Sequence, residues 1–211
     1  MSPSSENKAI LFTVGHSNRS LEEFLKLLKV HGIGRIVDVR TVPKSRRVPW
    51  FNKEELAPAL NETGIRYAHL PELGGLRHSK KDSTNLGWKN ASFRGFADYM
   101  ATPEFERGLE KLNEMLPDLR TAVMCAEAVP WRCHRSLIAD AEMARGVPVE
   151  HLFSPTSLRP HEMTSFAVVD KKIHPPRVTY PAQAGAKNQP DLPEMPPASP
   201  KHRGPKKPSR P

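Results

Sequence analysis

Short apolar runs alternate with helix-patterned segments over roughly the first 150 residues of this 211-residue chain, and that alternation limits its fold more than any other feature. Residues 9–14 are apolar and fit a buried strand. Ser20 can cap a helix that carries Leu21, Phe24, Leu25 and Leu28 on one face, with Gly32 closing it. Residues 35–39 form a second strand, and a basic loop with two prolines follows. Asn52 opens a second helix, with Glu55 at the capping-box position and Gly64 at its end. Residues 65–70 form a third strand, 121–124 a fourth and 149–153 a fifth. Helices fit 93–100, from Thr102-Pro103 to about 116, and 133–145. Strands alternating with helices predict an α/β fold: a single compact domain, its sheet mainly parallel, with helices on both faces.

The formal charge of +9 is unevenly spread. Positions 1–170 hold 23 basic and 21 acidic residues, so the domain is nearly neutral. Residues 171–211 carry nine Lys/Arg against Asp191 and Glu194, and half of the 22 prolines. The expected boundaries are therefore a domain over 8–170 and a Pro-rich basic tail over 171–211. Such a tail buries too little apolar surface to offset its chain entropy, which predicts disorder. It reads as a solubilising end or as a nucleic-acid-seeking arm. The 71–92 segment is long for a loop and is expected to be a lid or binding loop. No apolar run reaches membrane-spanning length, and the first residues lack the order of a signal peptide. A cytoplasmic location and reduced thiols for Cys125 and Cys133 are expected.

The chemistry-bearing residues gather after strands. His16 and Ser17 follow the first; Asp38 and Arg40 end the second, with Ser45 and Arg46 in its loop; Gly74 follows the third. After the fourth comes Cys125-Ala126-Glu127, then Arg132-Cys133-His134-Arg135 at a helix start. In a parallel sheet these share one edge, where ligands bind. Four arginines and two histidines outweigh Asp38 and Glu127 there. That balance predicts an anion pocket for a phosphorylated small molecule or a nucleic acid. Cys125, Glu127 and His134 are the catalytic candidates. His16, Ser17, Asp38, Arg40, Ser45, Arg46, Gly74, Arg132, Cys133 and Arg135 are the binding candidates.

Thr13-Val14-Gly15-His16-Ser17, Asp38-Val39-Arg40 with Pro43 and Ser45-Arg46, and Cys125-Ala126-Glu127 with Cys133-His134-Arg135 occur in an order and spacing that resembles domain-of-unknown-function family 488. Leu70-Pro71-Glu72-Leu73-Gly74-Gly75 is similar to that family too. The resemblance covers residues 10–170. It implies a compact α/β domain of bacterial or archaeal type and no assigned reaction or cofactor.

Cys125 is the candidate nucleophile, and Cys133 is expected to be structural or to resolve a transient disulfide. Cys125 to Arg132 resembles the anion-cradling loop of phosphotyrosine phosphatases, but six residues intervene instead of five. Trp131 stands where that arginine would fall, so a phosphatase is excluded. A zinc site from Cys125, Cys133, His134 and His16 is disfavoured, because side chains of adjacent residues usually diverge and no short C-x-x-C spacing is present. No metal is therefore expected. Walker, G-x-G-x-x-G and H-E-x-x-H motifs are absent. Two functions remain open: a small enzyme using a cysteine or acid/base groups on an anionic ligand, or a non-catalytic nucleotide or nucleic-acid binding module.

Overall fold

The first strand, β1 (Leu11–Gly15), lies inside a six-stranded sheet in a computed structural model that describes residues 9–183. The strands that follow are β2 (Arg35–Asp38), β3 (Arg66–His69), β4 (Thr121–Cys125), β5 (Val149–Ser154) and β6 (Ser157–Pro160). Their order is β3-β2-β4-β1-β5-β6; all pairings are parallel except β5 with β6. The sequence thus predicts the parallel body correctly. It misses β6 and a separate antiparallel pair, β7 (Val168–Asp170) with β8 (Arg177–Thr179).

Five helices cover the sheet: α1 (Leu21–Val30), α2 (Lys53–Glu62), α3 (Ala91–Tyr99), α4 (Pro103–Met115) and α5 (Arg135–Ala144). Phe24, Leu27 and Leu28 of α1 and Leu56 and Leu60 of α2 pack with Phe12, Val14, Ile36 and Met124 on one face. Phe96, Phe105, Leu109 and Leu137 from α3, α4 and α5 pack with Leu11, Val37 and Val123 on the other. Successive residues of β1 and β4 serve opposite faces, as the period-two pleat requires. Each fully buried Leu or Phe contributes about 1.5–3 kcal/mol. Ser20 makes the expected cap: its hydroxyl accepts from the Glu23 amide at 3.1 Å, and the Glu23 carboxylate accepts from the Ser20 amide at 2.8 Å. Asn52 does not cap α2 with its side chain; its Oδ1 accepts from the Ser45 amide at 2.6 Å and pins the basic loop instead.

The chain leaves β1 and β2 toward the α1/α2 face and leaves β4 toward the α5 face. Because β4 lies between β1 and β2, the reversal opens a crevice above its carboxyl end. The candidate site lies there.

Buried residues continue past residue 170, the expected boundary. Val178 and Tyr180 are buried in the core, and the Tyr180 ring packs 5.5 Å from Trp88 and 6.0 Å from Phe166. Its amide donates to Asn85 Oδ1 at 2.9 Å. A lone tyrosine among prolines and lysines carries no periodic signal, so burial by distant residues decided its place. Expectations for the tail beyond residue 183 lie outside the described residues. The 71–92 segment is tied down: Asp98 accepts from the Lys80 amide, the Ser83 hydroxyl and the Asn85 amide group at 2.6–2.9 Å.

A buried polar chain runs beneath β5. Thr13 Oγ1 meets His151 Nδ1 at 2.7 Å, His151 Nε2 meets His161 Nδ1 at 3.0 Å, and His161 Nε2 meets Asp140 at 2.9 Å. The Tyr180 hydroxyl donates to the other Asp140 oxygen at 2.8 Å. Tyr180→Phe leaves that buried oxygen without its donor and should destabilise the protein by about 1–3 kcal/mol in urea unfolding. An unchanged midpoint would show that the docking of residue 180 is incidental.

Burial, then the neighbouring His161 and Arg135, lower the His151 pKa from 6.5 to about 3. The unfolded chain therefore takes up this proton first, and stability falls as pH drops from about 6.5 toward 3. The slope from this group reaches about 1.4 kcal/mol per pH unit. His151→Asn should flatten the stability profile between pH 6.5 and 4; a profile as steep as that of the parent protein would rule out a buried neutral ring.

Candidate functional site

Loops beyond the strands continue the ladder of the sheet. The amides of His16, Ser17 and Val39 donate to the carbonyls of Cys125, Ala126 and Met124 at 2.9–3.0 Å. The ends of β1 and β2 are thereby clamped to either side of β4. Gly15 permits one close approach: a Cβ there would fall 1.8 Å from the Glu127 carbonyl oxygen. His16 is 2% exposed and stacks on Phe51 with centroids 4.2 Å apart. Its Nδ1 contacts the Ser17 carbonyl at 2.9 Å, which places the proton on Nδ1, and its Nε2 accepts from Arg40 Nη1 at 3.2 Å. Burial first, with Arg40 adding to it against the Ser17 hydrogen bond, lowers its pKa to about 4, so the ring is neutral at pH 7.

Asp38 is fully buried and ion-paired with Arg40 at 2.6 Å. Its oxygens also accept from Arg40 Nε at 2.9 Å, the Arg40 amide at 3.0 Å and the Tyr67 hydroxyl at 2.8 Å. Arg40 Nη2 donates further to the Phe51 carbonyl at 2.7 Å. Asp38 thus engages much of the Arg40 guanidinium, while Arg40 also lines the cleft. Burial, followed by Asp38, pushes the Tyr67 pKa upward.

Arg135 lies 1% exposed below the crevice. Its Nη2 donates to the Glu127 carbonyl at 2.6 Å and its Nε to Cys133 Sγ at 3.3 Å. Burial disfavours a thiolate at Cys133, but a hydrogen bond from Cys125 and the Arg135 charge hold its pKa well below the ordinary thiol range. The Cys125 thiol is pushed up by its hydrogen bond to Cys133 and by burial. Charge favours the thiolate at Cys133, because the nearby cation follows it by two residues and points back at its sulfur.

His134 Nδ1 lies 3.9 Å from Cys125 Sγ and 3.7 Å from Cys133 Sγ. The expected divergence of Cys133 and His134 is therefore absent, and that objection to a metal falls with it; the lack of a short C-x-x-C spacing stands. The donor atoms of Cys125, Cys133 and His134 all lie within 4.8 Å of one another. His16 takes no part, since both of its ring nitrogens are engaged. His134 Nε2 is buried and has no hydrogen-bond partner among the described residues.

A cleft of about 470 Å³ opens over this cluster. His16, Arg40, Ser45, Cys125, Glu127, Arg132, Cys133 and His134 are among the residues that line it. Asp38 and Arg135 lie beneath as its supports. Ser17, at φ 52°, serves the His16 turn through its carbonyl. Gly74 packs on Thr41, and Arg46 is exposed; neither lines the cleft. Sequence reasoning missed Thr41, Lys44, Gly75 and Phe93 as lining residues and Phe51 and Tyr67 as supports. Lys44 and Gly75 sit inside the recognised motifs and could have been found there. No sequence signal marked Phe51.

The family model for "Domain of unknown function DUF488" matches residues 20–142. This chain belongs to that family. Neither a curated protein nor a solved structure matches it. The matched span of this DUF488 protein ends inside α5 and includes the Asp38–Arg40 pair and the whole cysteine–histidine cluster. Among the described residues no helix is long and apolar enough to cross a membrane.

Arg40→Lys keeps the charge but loses the guanidinium fork, leaving Asp38 and the Phe51 carbonyl short of donors. It should cost about 3 kcal/mol in urea unfolding, more than Tyr67→Phe. Equal midpoints for Arg40→Lys and the parent protein would show that the pair is not what fastens the site.

Proposed function

We propose that the cleft is the active site of an enzyme acting on an anionic ligand, a phosphorylated small molecule or the phosphate of a nucleic-acid end. The observation that carries this reading is the convergence of two thiols and an imidazole on one open cleft at the reversal point of the sheet. Among the described residues Glu127 is the single acidic residue in the lining, where Lys44 and Arg132 also lie. Lys44 would draw in a phosphate, with the Arg132 guanidinium in the same lining. Cys125, Cys133 and His134 together supply the reactive centre. A purely binding module gains nothing from burying two thiols at its ligand face, which favours the enzyme over the sensing alternative.

Phosphate, sulfate or a nucleotide should raise the melting temperature by mass action, with stabilisation of about 2.7 kcal/mol at a hundredfold excess over Kd. Arg132→Ala and Lys44→Ala should each weaken that shift. Cys133→Ser should preserve it while abolishing turnover, since a reactive group contributes little to ground-state binding. An unchanged melting temperature with every anion tested would remove the anion reading.

A further inference from the structure

We infer that Cys125, Cys133 and His134 hold a thiophilic divalent metal ion of the zinc class, with one coordination position open to the cleft. The inference deepens the proposed reading of the same cleft by naming what its cluster carries.

Tetrahedral zinc, with Zn–S of about 2.3 Å and Zn–N of about 2.0–2.1 Å, needs S···N separations of about 3.6 Å and an S···S separation of about 3.8 Å. The observed S···N distances are 3.9 and 3.7 Å, and the two sulfurs lie no more than 4.8 Å apart. Shifts of a few tenths of an ångström in S···N, and of no more than about 1 Å in S···S, would complete the geometry. The three donors come from the end of β4 and the loop entering α5, two segments clamped by the sheet and by Arg135.

Three further observations agree. His134 has no strong hydrogen bond that would explain its orientation: Nε2 has no partner among the described residues, and Nδ1 faces only the two sulfurs. Each sulfur also receives one N–H, Cys133 from Arg135 Nε at 3.3 Å and Cys125 from the Glu127 amide. Such outer donors stabilise thiolate ligands and orient them. Finally, a Cβ at Gly75 would lie 2.4 Å from His134 Nδ1, so glycine there keeps the liganding nitrogen uncovered.

Two thiolates select a soft or borderline ion over magnesium or calcium. Binding releases the remaining thiol protons to solvent. With the metal in place, two thiolates cancel its two charges and Arg135 is left as a buried positive charge, so the open position favours an anionic fourth ligand. Three protein ligands with a free position facing a cleft is the arrangement of a catalytic rather than a structural zinc site.

The test uses the full-length reduced protein, stripped with a chelator and titrated with cobalt(II). One cobalt per chain, with thiolate-to-cobalt charge-transfer absorption and tetrahedral visible bands, is expected. Zinc should displace it and should protect both cysteines from alkylation. Cys125→Ser and Cys133→Ser should each weaken binding by more than the roughly 10–100-fold that loss of an outer-shell partner costs. Gly75→Ala leaves every donor in place but crowds Nδ1 and should weaken it too. His78→Ala, an exposed histidine away from the cluster, should bind as the parent does. Absence of the charge-transfer band in a folded, reduced protein overturns the inference, and so does a Cys133→Ser protein that binds cobalt unchanged. The phosphate-dependent melting shift is measured on both the stripped and the metal-loaded protein. A shift without a cobalt band sinks the metal alone; a cobalt band without a shift sinks the anion reading alone.

Discussion

The buried ion pair between Asp38 and Arg40 is the fastening on which the site depends. Desolvating two opposite charges is costly, and the cost is offset only when nearly every lone pair and N–H finds a partner. Here they do. Asp38 takes donors from the Arg40 guanidinium, the Arg40 backbone and Tyr67, while Arg40 reaches on to the Phe51 carbonyl and to His16. One pair therefore joins the end of β2 to β3, to the loop that precedes α2 and to the turn after β1. Apolar packing contributes as well, since Val48 and Phe51 of the loop before α2 are buried in the core.

A second buried cation supports the other half of the cleft under a different rule. Arg135 has no carboxylate ion partner among the described residues; it donates to the Glu127 carbonyl and to the Cys133 sulfur. Its charge makes the negative form of a sulfur favourable in a place where burial alone would forbid it. One half of the cleft is thus held by an ion pair that is complete, and the other by a cation whose only candidate counter-charge is a thiolate.

The topology explains why these two halves meet. Inserting β4 between β1 and β2 makes the connections on either side of it leave by opposite faces of the sheet. Among the described residues the gap that results stays open as the cleft, and residues at the ends of the three strands surround it. In this protein those residues are a histidine, an aspartate–arginine pair and a cysteine.

The sequence by itself determined the parallel α/β body, the helix faces, the Ser20 and Thr102 caps and the family, because hydrophobic periodicity, capping chemistry and motif spacing are local properties that each segment carries alone. It also brought the chemistry-bearing residues to one sheet edge, since every motif followed a strand. What only the tertiary structure decided were matters of partnership. Which arginine meets a carboxylate, which cysteine meets an arginine, and whether Cys133 and His134 point together or apart depend on atoms contributed by other elements. The same holds for Tyr180, whose composition suggested a tail and whose burial follows from the slot left by Trp88, Phe166 and Asp140. Strand β6 and the β7–β8 pair were hidden for a related reason. They are short and largely exposed, and their pairing depends on a neighbouring strand already being in place.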